Sequence, residues 1–227
     1  MTAFPDTLAV TGNSTDHLAD VGEGVCLHRE VLAPFRALAA DAAGDGIALR
    51  IASGFRSFER QLAIWNGKAL GRRAVLDDDG RPLILASLSD RDKVFAILRW
   101  SALPGASRHH WGTDLDIWDA AAVPPDYRLR LENSEYGPDG PFHRLGAWLD
   151  VLDTDSDSHF FRPYRVDLGG IGPEPWHISY RPLAAAYESK LTLELLRGVL
   201  ENTDIALREA VLDNLEEIFE RFVSVRA

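Results

Sequence analysis

Cysteine is nearly absent from this chain. Cys26 stands alone among 227 residues, so no intramolecular disulfide is available, which fits a reducing compartment. Basic residues are in deficit: 24 Lys and Arg against 35 Asp and Glu leave a net charge of −11. That balance argues against a nucleic-acid backbone as the main partner, and there is no polybasic patch for anionic lipid. No apolar run is long enough to span a bilayer. The first residues, M-T-A-F-P-D-T-L-A-V, form neither a basic n-region nor a continuous apolar h-region. The expectation from these absences is a cytoplasmic protein with no membrane partner, with export by another route as the alternative. Internal repeats and low-complexity segments are also missing. No G-x-S-x-G elbow of a serine hydrolase is present, and Asp77-Asp78-Asp79-Gly80 lacks the oxygen spacing of an EF-hand and reads as a solvated turn.

What is present has the composition of an ordinary globular protein, with 46% hydrophobic and 26% charged residues. Residues 1–26 are rich in turn formers and read as a surface wrap. Apolar spacing predicts helices over Leu27–Ala43, Phe58–Leu70 with Ser57 as N-cap, Asp90–Trp100 and Phe142–Leu152. Short strands are expected at Ile47–Ala52, Gly112–Trp118, within Phe160–Gly170 and at Trp176–Tyr180. Residues 120–140, with Pro124-Pro125 and Gly137-Pro138, form a long excursion suited to a lid or substrate wall. Two further helical patterns, Leu183–Leu200 and Thr203–Val223, close the chain. The second carries an apolar stripe at Ile205, Val211, Leu212, Leu215, Ile218, Phe219 and Phe222. The stripe suits a hairpin packed on the rest of the protein; the second reading makes it an arm that joins two copies into a homodimer.

The chemistry concentrates in Ser107–Asp119, S-R-H-H-W-G-T-D-L-D-I-W-D. His109 and Asp116 lie seven residues apart, with Gly112 between them. Imidazole nitrogen and carboxylate oxygen are the donors that a borderline metal such as zinc selects, with three protein ligands and an open position at a catalytic site. A third ligand must come from elsewhere, and Gly172-Pro173-Glu174-Pro175-Trp176-His177 offers a histidine preceded three residues earlier by a glutamate. On a strand, Asp114, Asp116 and Trp118 share one face and Thr113, Leu115 and Ile117 the other. His109 and His110 then point to opposite faces, so only one can meet a metal. His17, His28, His143 and His159, without such company, read as structural.

Three segments together resemble the zinc D-alanyl-D-alanine peptidase family, which includes the vancomycin-resistance D,D-dipeptidases and D,D-carboxypeptidases and shares its fold with the hedgehog signalling domain. Ser107, His109, Gly112 and Asp116 match its S-x-H-x-x-G-x-A-x-D motif. Glu174, Trp176 and His177 match E-x-W-H. Ser53-Gly54-Phe55-Arg56-Ser57 with Gln61 matches a third signature. The resemblance implies an α+β fold, with a small, mainly antiparallel sheet bearing the metal ligands and flanked by helices; the apolar spacing beyond it adds a C-terminal helical hairpin. The resemblance ends at Pro182, dividing the chain into a peptidase domain, 1–182, and a helical extension, 183–227.

The resemblance further implies one Zn²⁺ per chain held by His109, Asp116 and His177, with Glu174 as general base and Arg56 as oxyanion holder. Ser107, Gln61 and Trp176 would contact a peptidoglycan-derived peptide or dipeptide, cut by D,D-carboxypeptidase or D,D-dipeptidase action; the alternatives are a peptidoglycan endopeptidase and a non-catalytic metal-bearing binding module of the same fold. Gln61 has an alternative, bracing Arg56 or a helix face. Asp114 departs from the pattern, which has a small residue there. It could be a fourth ligand, a partner orienting a histidine, or a solvent-facing group.

Overall fold

The computed structural model describes residues 5–224. It opens with a one-turn helix, α1 (Thr7–Val10), whose Asp6 cap accepts from the Ala9 amide at 2.7 Å. An antiparallel hairpin follows, β1 (Leu18–Gly22) and β2 (Val25–His28). Its loop residues Glu23 and Gly24 both have positive φ, 55° and 76°, the geometry that matches the twist of the two strands. This corrects two expectations: residues 5–26 are not a plain surface wrap (residues 1–4 lie outside the described ones), and Leu27 belongs to a strand rather than a helix. Leu27 and Val10 are both buried in the core.

Helix α2 (Leu32–Gly44) carries most of the expected first helix and leads into β3 (Leu49–Ser53). Helices α3 (Phe58–Ala69) and α4 (Asp90–Leu98) start at serine caps, Ser57 and Ser89, which accept from the Arg60 and Asp92 amides. After a 3-10 turn over Arg108–Trp111 comes β4 (Asp114–Asp119). The excursion contains the single turn α5 (Asn133–Tyr136) and is pinned by buried Glu135, which accepts from the Tyr127 hydroxyl at 2.7 Å and the Glu132 amide at 3.1 Å. Helix α6 (His143–Leu152), the two-residue strand β5 (Phe160–Phe161) and β6 (His177–Tyr180) complete the sheet. Pro163 lies just beyond β5 and lacks the amide that would extend it.

The sheet is antiparallel, in the order β3-β4-β6-β5. One face carries Leu115, Ile117 and Ile178 into a core formed with α2 and α6. The other presents Asp114, Asp116, His177 and Ser179, because alternate residues face opposite ways. Together with its helices this is an α+β architecture.

The C-terminal region is more broken than its periodicity predicts. It comprises α7 (Arg181–Lys190), α8 (Leu193–Glu201), α9 (Arg208–Asp213), α10 (Leu215–Ile218) and a wider π turn over Phe219–Val223. Thr192 caps α8, accepting from the Leu195 amide at 3.1 Å, and Leu207 at φ 63° prevents a continuous helix from Thr203. Ile205, Val211, Leu215, Ile218 and Phe222 share one apolar cluster with Trp65 and Ile97 of α3 and α4. The Trp65 indole donates to the Ala206 carbonyl at 3.0 Å. The stripe is therefore covered within the chain. Among the described residues no helix is long and apolar enough to cross a membrane.

A shared cluster predicts a shared unfolding transition. Leu215→Ala should lower stability by about 2–5 kcal/mol, read as a shift of a single urea midpoint. A loss of about 0.5 kcal/mol or less, the range of surface substitutions, would mean that the C-terminal helices ride loosely.

Candidate active site

The register of β4 against β6 sets Asp116 opposite His177 and Asp114 opposite Ser179. His109 comes from the 3-10 turn that precedes β4, not from a strand as its sequence position suggested. The turn ends at Gly112, with φ 69°, where a Cβ would lie 2.7 Å from the His28 amide nitrogen. His28 N donates to the Gly112 carbonyl at 2.8 Å, and Phe55 N to the Cys26 carbonyl at 2.8 Å. The unexpected hairpin thus packs directly on two of the matching motifs.

His109, Asp116 and His177 converge, with one ligand atom from each lying within 4.8 Å of the others. His109 Nε2 is 3.4 Å from Asp116 Oδ2, and His177 Nδ1 is 3.4 Å from Asp116 Oδ1. Each imidazole is fixed through its other nitrogen. His109 Nδ1 donates to the Gly54 carbonyl at 2.8 Å, and His177 Nε2 donates to Asp114 Oδ1 at 3.0 Å. Once deprotonated, both inward nitrogens offer their lone pairs to one point. His177 Nδ1 is buried and has no hydrogen-bond partner. A buried polar atom left without a partner is destabilising, and a divalent cation bound between two imidazoles and a carboxylate would satisfy it. The donor set therefore fits a metal ion. His110 is turned away: its Nδ1 donates to the Arg56 carbonyl at 2.6 Å and its Nε2 accepts from the Gly105 amide at 3.0 Å. Burial lowers the His110 pKa to about 3, so it stays neutral.

Asp114 is neither solvent-facing nor beside the other ligand atoms. It is fully buried behind His177, accepting from Arg108 Nε at 2.7 Å, Thr113 Oγ1 at 2.7 Å and Ser179 Oγ at 3.1 Å. Arg108 also donates to Ser179 Oγ at 2.8 Å and to Glu188 of α7. Burial alone would raise the Asp114 pKa, but Arg108 and His177 hold it well below the usual carboxylate range. Asp116 behaves likewise, with His109 and His177 outweighing burial. His177 shows the converse: burial would lower its pKa, but Asp114, Asp116 and Glu174 raise it well above the ordinary value.

A cavity of about 200 Å³ opens onto this cluster. Its walls include Arg56, Ser107, Glu174 and Trp176, as well as Trp100, Ser101, Leu131 and Tyr164, none of which a motif marks. Glu174 Oε2 lies 3.2 Å from His177 Nδ1, held there by a turn in which the His177 amide donates to the Glu174 carbonyl at 3.1 Å. Arg56 Nη1 donates to Gln61 Oε1 at 3.0 Å, and its backbone amide donates to the His109 carbonyl at 3.0 Å. Burial lowers the Arg56 pKa, against the opposing pull of Asp116 and Glu174. Gln61 is fully buried behind Arg56 rather than on the cavity wall, and its Nε2 donates to the Ala102 carbonyl at 2.7 Å. Leu131, from the excursion, adopts φ 55° where it lines the cavity. A second cavity of about 400 Å³ shares Trp100, Leu131, Glu174 and Trp176 with the first and continues past Asp77–Gly80 and Arg130–Ser134.

The Arg108–Asp114 pair generates a stability prediction. Arg108→Met leaves Asp114 buried without its cation and should cost about 3–5 kcal/mol. Adding Asp114→Ala removes the stranded charge and should recover part of that loss. Urea midpoints of the two single variants and the double measure it; strictly additive losses would contradict the coupling.

A family model for VanY, D-alanyl-D-alanine carboxypeptidase, matches residues 24–183. An uncharacterized protein of Haemophilus influenzae is 33% identical over 123 residues, which cover 53% of this chain and 92% of its own. A second from the same organism is 45% identical over 98 residues, covering 41% and 67%. Among solved structures, a mutant of the vancomycin-resistance D,D-pentapeptidase VanY from the VanB-type cassette, in complex with Zn(II), aligns with a TM-score of 0.51 at 21% identity over 87% of this chain and 92% of that one. VanYB in complex with D-alanine-D-alanine aligns with a TM-score of 0.51 at 22% identity, covering 82% and 89%. At these identities the two structures share the fold with this chain. The family match spans β2 to the start of α7 and includes every residue of the converging site, and on it the chain belongs to the VanY D-alanyl-D-alanine carboxypeptidase family.

Proposed function

We propose that the protein is a zinc-dependent peptidase that removes D-alanine from a peptidoglycan stem peptide, a precursor or D-alanyl-D-alanine. The observation that carries this reading is the convergence of His109 Nε2, Asp116 and His177 Nδ1 beside Glu174, on a cavity wall that also holds Arg56. Zinc held by those three side chains would supply a Lewis acid and lower the pKa of a water molecule. Glu174 then takes the proton of the attacking water and returns it to the leaving amine. The Arg56 guanidinium, braced by Gln61 and bolted through its backbone to His109, donates to the developing oxyanion. Ser107, whose side chain makes no capping hydrogen bond and lines the wall, and Trp176, which lines both cavities, orient the peptide. The second cavity, which shares four lining residues with the first, supports a substrate longer than a dipeptide and favours carboxypeptidase action.

The test is metal content measured alongside D-alanine release from D-alanyl-D-alanine and from a pentapeptide ending in it. The wild type should hold one zinc per chain and turn over the pentapeptide faster. Glu174→Ala should keep its zinc and lose activity by roughly 10²–10⁴-fold. Absence of metal under non-chelating conditions, or a fully active Glu174→Ala, would sink the proposal. Arg56→Lys should lower kcat by roughly 10²–10³-fold with little change in KM, since the interaction strengthens as charge develops on the oxygen. An effect confined to KM would make Arg56 a binding residue only.

A further inference from the structure

One wall of the cavity is a loop held in place from well beyond the last matching motif. Residues 163–174 connect β5 to β6 without helix or strand, and they supply Tyr164, Ile171 and Glu174 to the cavity. The loop is closed at its base, where the Glu174 amide donates to the Tyr164 carbonyl at 2.9 Å. Its far side is Gly169-Gly170-Ile171-Gly172. Glycine loses more backbone freedom on ordering than any other residue, so this stretch does not hold a wall still by itself.

Two arginines hold it. Arg99, just after α4, pairs with Asp167 and donates to the Gly170 carbonyl at 2.9 Å, and its own carbonyl accepts from the Gly172 amide at 2.9 Å. Arg221, in the π turn of the C-terminal region, grips the Gly169 carbonyl through Nη2 at 2.7 Å and Nε at 3.2 Å. A Cβ on Gly170 would lie 1.9 Å from the Arg221 carbonyl oxygen, so the loop backbone rests directly on that turn. Arg221 is anchored in its turn: Nη1 donates to Glu217 Oε1 at 2.6 Å, and Glu217 Oε2 accepts from Arg91 of α4 at 2.7 Å.

These ion pairs are exposed to solvent, and pairs of that kind stabilise a fold little. What they fix is position. A catalytic group misplaced by about 1 Å can cost roughly 10²-fold in rate, even when the change responsible lies far from the chemistry. We infer that Arg221 is a positioning residue: by clamping the Gly169-Gly170 turn it sets where Ile171 and Glu174 stand on the cavity wall, which makes the C-terminal π turn a working part of the active site. The inference rests on the peptidase reading of the site.

The experiment uses the zinc-loaded full chain. It compares release of D-alanine from the pentapeptide and from D-alanyl-D-alanine with zinc content, urea midpoint and backbone hydrogen exchange. Arg221→Met should lower kcat roughly tenfold or more, change KM less, and leave the zinc and the midpoint nearly as they were. The Gly169 and Gly172 amides, which donate to Asp167 Oδ1 and the Arg99 carbonyl, should exchange faster while those of β4 and β6 keep their protection. Arg221→Lys, which keeps a donor for the Gly169 carbonyl, should recover part of the rate. Gly170→Ala, which forces the loop off the turn, should reproduce both effects should the methionine variant fold poorly. A loosened loop with normal kcat, or unchanged exchange, would overturn the inference. So would a rate loss that merely follows a fall in midpoint, since Arg221 would then be a structural prop. The peptidase reading survives each of these results. A wild type that releases D-alanine from neither substrate would overturn that reading and the inference with it, whatever the exchange shows.

Discussion

The site depends on the register between β4 and β6. Asp116 lies opposite His177, and each points away from the apolar core that Leu115, Ile117 and Ile178 fill on the other face. A slip of one residue would move Asp116 into that core and bring Leu115 or Ile117 to the site. Burial of the three apolar side chains therefore sets the register on which metal-ligand geometry relies. The 3-10 turn and the hairpin then bring His109 to the same point through Gly112 and Gly54.

A second constraint is electrostatic. Asp114 and Asp116 are both buried, and each needs cationic or hydrogen-bonding partners to remain charged there. Asp114 is answered by Arg108, itself tied to Glu188 on α7, and so the helix beyond the last motif is linked to the back of the site. Asp116 is answered by the two imidazoles and, in the proposed reading, by the metal. The division of labour follows from position. Asp114, one pleat away from Asp116, meets the outer nitrogen of His177 and fixes which nitrogen faces inward.

The residues of this site were legible because their types are chemically restrictive and their order spans three segments. The alternation Asp114-Leu115-Asp116-Ile117 marked both the strand and its two faces. Ser57 and Ser89 marked two helix starts for an equally local reason, a hydroxyl within reach of an exposed amide. What could not be read depends on contacts distant in sequence. Leu27 fell in phase with the helix that follows, and only its pairing with Ala19 across the hairpin assigns it to a strand. One partner of Arg108, Glu188, is 80 residues away. His109 and His110 do diverge, but on a tight turn whose packing against Gly12 and Arg56 no local pattern announces. The breaks at Thr192 and Leu207 likewise follow from the shape of the cluster around Trp65, not from apolar spacing.

The most direct measurement of the central claim is anomalous diffraction at the zinc edge from crystals of the zinc-loaded protein. The account predicts one peak, about 2.0–2.2 Å from His109 Nε2, an Asp116 oxygen and His177 Nδ1. Asp114 should still be hydrogen-bonded to His177 Nε2. A peak elsewhere, or zinc bound through His177 Nε2 with Asp114 displaced or coordinating, would contradict it.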